Sequence, residues 1–122
     1  MAIRGIRGAT VATENTREAI LTAAGQLASA IIAANPQLKP EDIASVLFTV
    51  TPDLNAAFPA FAVRQLGWAE TPILCAQEIP VPGSLERCIR ILIHWNTDLA
   101  QDQITHVYSG EARVLRPDLA SG

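Results

Sequence analysis

Cys75-Ala-Gln-Glu78-Ile-Pro-Val-Pro-Gly83-Ser-Leu-Glu-Arg-Cys88-Ile-Arg90-Ile-Leu-Ile-His-Trp95 is the stretch from which the rest of the chain can be read. An apolar run ends in a carboxylate, a proline-rich turn follows, and a second apolar run carries an arginine. With the period of two that a strand imposes, Cys88, Arg90, Leu92 and His94 share one face, and Ile89, Ile91, Ile93 and Trp95 the other. Both faces are largely apolar, so the strand is expected to be covered on both sides. A guanidinium keeps its proton, and leaving it unpaired there would be costly. Arg90 therefore needs an anion. Glu78 can supply one in a structural ion pair, or a bound anion can, with Glu78 accepting a hydrogen bond from the same ligand.

The other cations bear on that choice. Eight of the nine Lys+Arg residues are arginine, and Lys39 is the single lysine. Arginine presents a planar fork matched to carboxylates. Arg7 lies between Gly5 and Gly8 on a first strand, Ile3 to Val11. Arg64 falls on a short helix, and Arg116 follows the last strand. Arg7 also has a plainer reading, as a surface arginine beside a turn, against the functional one of a carboxylate clamp.

The remaining elements follow in order. Asn15 is expected to cap a helix, with Glu18 three residues on completing a capping box. Ile20, Ala24, Leu27 and Ile31 then recur at helical spacing, up to about Asn35-Pro36. Pro40-Glu41-Asp42 suits a short helical turn, and Val46 to Thr51 a buried strand. Phe58 to Leu66 reads as a short helix stopped by Gly67, with Phe58 itself a core residue. Ile73 to Gln77 is a strand delivering Glu78, and Leu85 to Trp95 the arginine-bearing strand. Thr97 to Gln103 is a polar connection with room for one helical turn. Thr105 to Tyr108 and Glu111 to Leu115 are two short strands, and residues 116–122 a mobile tail. One domain, 1–122, of α+β class is expected: a mixed β-sheet packed against one long helix. One helix leaves the other sheet face bare, so association between copies should cover it.

Composition narrows the functions. Charged residues make up 17% of the chain, below the usual ~25%, which suits a surface partly buried between subunits. A net charge of -3 and six aromatic residues, none interleaved with a basic stripe, argue against nucleic acid or an anionic membrane as partner. No window approaches a membrane span, and Met1 leads straight into Ile3-Arg4-Gly5-Ile6 without a leader-like apolar run. A cytoplasmic setting is expected, with Cys75 and Cys88 as thiols, although they could lie on adjacent strands. His94 and His106 are too far apart for zinc spacing, so no metal is expected. No residue set marks an activated nucleophile, and no glycine-rich phosphate loop occurs. Arginines, one carboxylate and one tyrosine remain: a site that can supply position and charge.

Met1-Ala-Ile-Arg-Gly-Ile-Arg7-Gly-Ala-Thr, Thr51-Pro-Asp-Leu-Asn-Ala-Ala-Phe58-Pro-Ala, Cys75-Ala-Gln-Glu78, Cys88-Ile-Arg90 and His106-Val-Tyr108 with Leu115-Arg116-Pro-Asp-Leu119 occur in one order. Together they resemble the monofunctional chorismate mutases of the AroH class, over about Met1 to Leu119. The resemblance implies a homotrimer with a barrel-like core and sites at subunit interfaces. It implies the cofactor-free Claisen rearrangement of chorismate to prephenate, in phenylalanine and tyrosine biosynthesis. It gives Arg90 to the breaking ether bond, Arg7 and Tyr108 to carboxylate and ether recognition, and Glu78 with the Cys75 main chain to the hydroxyl. Leu74, Ala76 and Gln77 join Cys75 in the substrate-binding set. Phe58 and Leu115 would wall the pocket, and Arg64 and Arg116 add charge at its mouth. Leu74 stands where relatives carry threonine, and the tail is shorter than in some. A non-catalytic trimeric carboxylate-binding module is the rival reading. It accounts for the arginines but not for Glu78, which weakens anion capture unless the ligand also offers a hydroxyl.

Overall fold

The computed structural model describes residues 1–116. Its frame is a five-stranded sheet in the order β3-β2-β4-β1-β5, with β1 Ala2–Val11, β2 Ile43–Val50, β3 Ile73–Gln77, β4 Cys88–Thr97 and β5 Val107–Tyr108. The arginine-bearing strand β4 is central and pairs antiparallel with both β1 and β2, while β1/β5 and β2/β3 are parallel. One long helix, α1 (Arg17–Ala34), covers one face. The fold is the expected α+β arrangement, a mixed sheet on one long helix.

The alternation read from β4 is the alternation observed. Ile89, Ile91, Ile93 and Trp95 are buried toward α1 with Ile6, Val46 and Phe48. Arg90, Leu92 and His94 on the other face are only half-buried. Within one chain, then, a single face of β4 is fully covered.

Gly8 sits where α1 meets the sheet. A Cβ there would lie 2.9 Å from Ile31 Cδ1 and 3.0 Å from the Val107 carbonyl oxygen, so glycine lets the helix approach β1. Ala23, Ala24 and Ala28 are buried on the helix side of the same core.

Several expectations are corrected. The cap of α1 is Thr16, whose hydroxyl accepts the Ala19 N–H at 3.1 Å. Asn15 is occupied elsewhere: its Oδ1 accepts from the Asn55 and Ala56 amides at 3.0 and 3.1 Å. Phe58 is 62% exposed, because the following single turn α2 (Ala60–Val63) buries Ala60 and Val63 and leaves Phe58 outside. The helix expected up to Leu66 passes into a wide turn over Arg64–Trp68, in which Gly67 takes φ 93°. Pairing of β4 begins only at Cys88, since Arg87 turns the chain with φ 52°. Glu111 to Leu115 is no strand but a 3-10 turn, Gly110–Leu115, that folds Ala112 against Ala9, Cys88 and Tyr108. Cys75 and Cys88 lie on strands separated by β2, and both are free thiols. The tail expected over 116–122 lies, from 117 onward, outside the described residues.

Gly8→Ala should lower stability by about 1–3 kcal/mol, because the added methyl presses on backbone at Val107 as well as on Ile31. Urea unfolding monitored by circular dichroism measures it; an unchanged midpoint would show that α1 can move away at no cost.

Candidate active site

Sheet register assembles a polar cluster on the face away from α1. Tyr108, Ala9, Arg90, Thr49 and Ala76 are successive partners across all five strands. The neighbouring same-face row holds Arg7, Leu92, Leu47 and Leu74. Glu78 follows β3 and is tied down by its N–H donating to the Val50 carbonyl at 2.8 Å. Arg7, Glu78, Arg90 and Tyr108 line one cavity of about 210 Å³, with Thr49 and Leu92 between them.

Arg90 and Glu78 meet as an ion pair without a hydrogen bond. Nε lies 3.5 Å from Glu78 Oε1, and this buried N–H has no acceptor among the described residues. The same Oε1 is held by the Thr49 hydroxyl. A buried donor without an acceptor is costly in a finished structure. Arg90 itself lines a cavity with two guanidiniums and one carboxylate, a net positive lining suited to an anion that also carries a hydroxyl.

The start of β4 is anchored by the Thr51-Pro-Asp segment. Thr51 Oγ1 accepts the Cys88 N–H at 2.9 Å and donates to Asp53 Oδ1, whose carboxylate also takes the Arg87 N–H. This braces the strand two residues before Arg90. Tyr108 is almost fully buried, with Leu115 packed on the same small cluster.

The other sequence-derived residues stand elsewhere in the chain. Cys75, Ala76 and Gln77 border a second hollow of about 460 Å³ with Phe58, Arg17 and Leu54. Phe58 packs edge-on to Phe61, with ring centroids 6.1 Å apart, and the Arg64 guanidinium lies 4.8 Å over Phe61. Leu74, three-quarters exposed, sits on the edge strand β3. Arg116 closes the last 3-10 turn. One chain therefore unites Arg7, Glu78, Arg90 and Tyr108, and keeps Phe58 and Arg64 apart from them. Thr49 was missed in the sequence. Its alternation with Leu47 on β2 was visible, but only the register places it opposite Arg90.

Titration follows these surroundings. Burial pushes the Cys88 thiol up, partly opposed by the Arg90 charge. Burial also pushes Cys75 up, against a hydrogen bond from the Ala60 backbone and the charge of Arg64. Neither thiol is an activated nucleophile. His106 is held below its ordinary value of 6.5 by burial, then by Arg7 and Arg116.

Residues 3–119 match the family model described as chorismate mutase type I. The chain belongs to this family. It is 53% identical over 119 residues to the chorismate mutase AroH of Thermus thermophilus, covering 98% of each chain. It is 51% identical over 121 residues to the chorismate mutase AroH of Bacillus subtilis, covering 98% of this chain and 94% of that one. Among solved structures, a chorismate mutase from Clostridium thermocellum superposes with TM-score 0.87 at 47% identity, over 90% of this chain and 97% of the other. The five motifs thus belong to a chorismate mutase throughout, and among the described residues no helix is long and apolar enough to cross a membrane.

With both thiols raised, alkylation by iodoacetamide near neutral pH should be slow in the native protein, and the buried Cys88 should react last. Mass spectrometry against time measures this. Labelling of native Cys88 as fast as in the unfolded chain would contradict the burial.

Proposed function

We propose that the Arg7–Glu78–Arg90–Tyr108 cavity converts chorismate to prephenate, an isomerase step toward phenylalanine and tyrosine. The observation that carries this reading is that Arg90, whose buried Nε–H has no acceptor among the described residues, lines a cavity with Arg7, Glu78 and Tyr108 in a chain of this family. The reaction is an intramolecular pericyclic shift: a carbon–oxygen bond breaks as a carbon–carbon bond forms. As breaking leads, negative charge gathers on the ether oxygen. A guanidinium already in place stabilises that charge more in the transition state than in the ground state. No proton leaves or enters, and neither cofactor nor metal is required.

Glu78, steadied by Thr49, would accept the substrate hydroxyl, with the Cys75 main chain beside it. Arg7 would take a carboxylate, and Tyr108 would complete carboxylate and ether recognition. Leu74, Ala76 and Gln77 belong to the strand that frames this side, and Leu115 forms a wall. Holding the compact conformer supplies the rest through orientation. The cavity of about 210 Å³ is small for a whole ligand site, which supports completion by a second subunit.

A homotrimer would supply that completion, with Phe58 and Arg64 of one subunit facing the cavity of its neighbour and Arg116 at the mouth. The exposure of Phe58, Leu74, Ile79 and Val81 supports subunit contacts around the site. We place the enzyme in the cytoplasm, with chorismate and its own copies as partners.

Arg90→Ala should lower kcat at least ~100 to 1,000-fold while leaving the circular dichroism spectrum intact. Arg90→Lys should recover little, since the fork is lost. Chorismate disappearance in ultraviolet absorbance measures both, and a folded, nearly fully active Arg90→Ala enzyme would refute the mechanism. Cys75→Ala should stay substantially active, and kcat should vary little with pH near neutrality; a bell-shaped kcat profile would indicate proton transfer instead.

Refolding Phe58→Asp together with Arg90→Ala tests the shared site. Each homotrimer should be inactive, yet random mixing of equal amounts should restore about a quarter of the sites. Verified mixed trimers without activity would reject a site built from two subunits.

A further inference from the structure

We propose that His106 is a positioning residue for Arg7: its neutral ring holds the Arg7 backbone, and protonation loosens that hold and weakens substrate binding. The inference rests on the chorismate reading of the cavity and concerns a residue that lies outside it.

The observation is a break in the sheet edge. Strand β5 pairs with β1 only at Gly8↔Val107 and Ala9↔Tyr108. Before that point side chains substitute for a strand. Gln101 takes both backbone groups of Gly5, its Oε1 accepting the N–H at 3.0 Å and its Nε2 donating to the carbonyl at 2.7 Å. His106 Nδ1 accepts the Arg7 N–H at 2.9 Å. The acceptor role assigns the ring's proton to Nε2 in the neutral form. An imidazolium would instead turn an N–H toward the Arg7 N–H, and the bond would be lost.

The backbone leading into His106 is held from outside the sheet as well. Asn35, the C-cap of α1, accepts the Thr105 N–H at 3.0 Å and donates to the Thr105 carbonyl at 2.9 Å. Buried Asn35 thereby fixes the residue before His106 to the end of the helix. The helix end, Thr105, His106 and the Arg7 backbone form one continuous set of contacts, and the Arg7 side chain lines the cavity. The charged groups bearing on the ring, among the described residues, are Arg7 and Arg116, and both oppose its protonation together with burial. Because the native state favours the neutral ring, the stabilisation is present above 6.5 and is lost as pH falls toward the lower native value.

Chorismate carboxylates stay ionised through this range, and Arg7 would bind one equally in ground and transition states. The effect therefore falls on KM, with kcat little changed. The test uses the full-length enzyme and chorismate itself. His106→Ala should raise KM roughly threefold to tenfold at neutral pH, the weight of one hydrogen bond. His106→Asn places an amide oxygen near the position of Nδ1 and should restore KM to within about twofold. Wild-type KM should rise only as pH falls through the native titration of His106, which lies below 6.5, whereas that of His106→Asn should stay level. The Arg7 amide resonance in nuclear magnetic resonance spectra should shift over the same range in the wild type only.

An unchanged KM in folded His106→Ala, or one acid rise shared by wild type and His106→Asn, would overturn the proposal. If His106→Ala does not fold, the two pH profiles and the Arg7 resonance decide alone. Wild-type enzyme that leaves chorismate unchanged would refute the functional reading first, a result distinct from an active enzyme whose KM ignores His106.

Discussion

A guanidinium on the central strand of a sheet is the constraint to which the rest of the chain answers. Arg90 lies on β4, paired on both sides, so its backbone cannot shift to relieve the charge. The residues around it come from separate parts of the sequence: its ion-pair partner Glu78 after β3, Thr49 opposite it on β2, and Arg7 on β1 in the same cavity. Thr49 holds the carboxylate, and the Thr51–Asp53 segment braces the strand just before Arg90. Glu78 is near enough to offset part of the charge, yet leaves the Nε–H without an acceptor. The pair is also partly solvated, so the attraction within it is screened. A well-satisfied salt bridge would be a better structural element and a poorer binding site.

The sheet separates two kinds of work by the side-chain alternation of its strands. Toward α1 lie Ile89, Ile91, Ile93 and Phe48, packed closely enough that Gly8 has no room for a methyl group. Away from it lie Arg90, Leu92 and Arg7. Burial on the first face makes the second face stiff, and stiffness is what electrostatic catalysis requires, since a donor that must reorganise loses part of its advantage. The end of β3 marks a further division: Cys75, Ala76 and Gln77 border the hollow beside α2, while Glu78, one residue on, reaches the cavity next to Arg90.

How much could be read without coordinates differs from element to element, for identifiable reasons. Period two on Cys88 to Trp95 and period 3.6 on Ile20 to Ile31 are repeated signals. They specified the faces of β4 and the stripe of α1 because burial enforces them at every step. Single-residue signals were weaker. Asn15 and Thr16 are both good caps, and the choice fell to Thr16 because Asn15 is held by the Asn55 loop, forty residues away. Phe58 looked like core by composition, but its burial depends on which side of a one-turn helix reaches the sheet. Glu111 to Leu115 alternates like a strand, yet Gly110 turns it back to pack Ala112 on Tyr108.

The sequence by itself determined the α+β class, the long helix, the strand carrying Arg90 and the need of that arginine for an anion. Its ordered motifs determined the family as well. These follow from local periodicity, from the cost of burying charge and from residues that stay together in the chain. Tertiary structure alone decided which residues meet. Pairing of β1 with β4 put Arg7 on the Arg90 face, register on β2 put Thr49 opposite Arg90, and the late start of β5, at Val107, left the Arg7 amide to His106. The reason is physical: strand order and register are set by contacts between distant segments, and a shift of one residue would have sent each of these side chains to the other face.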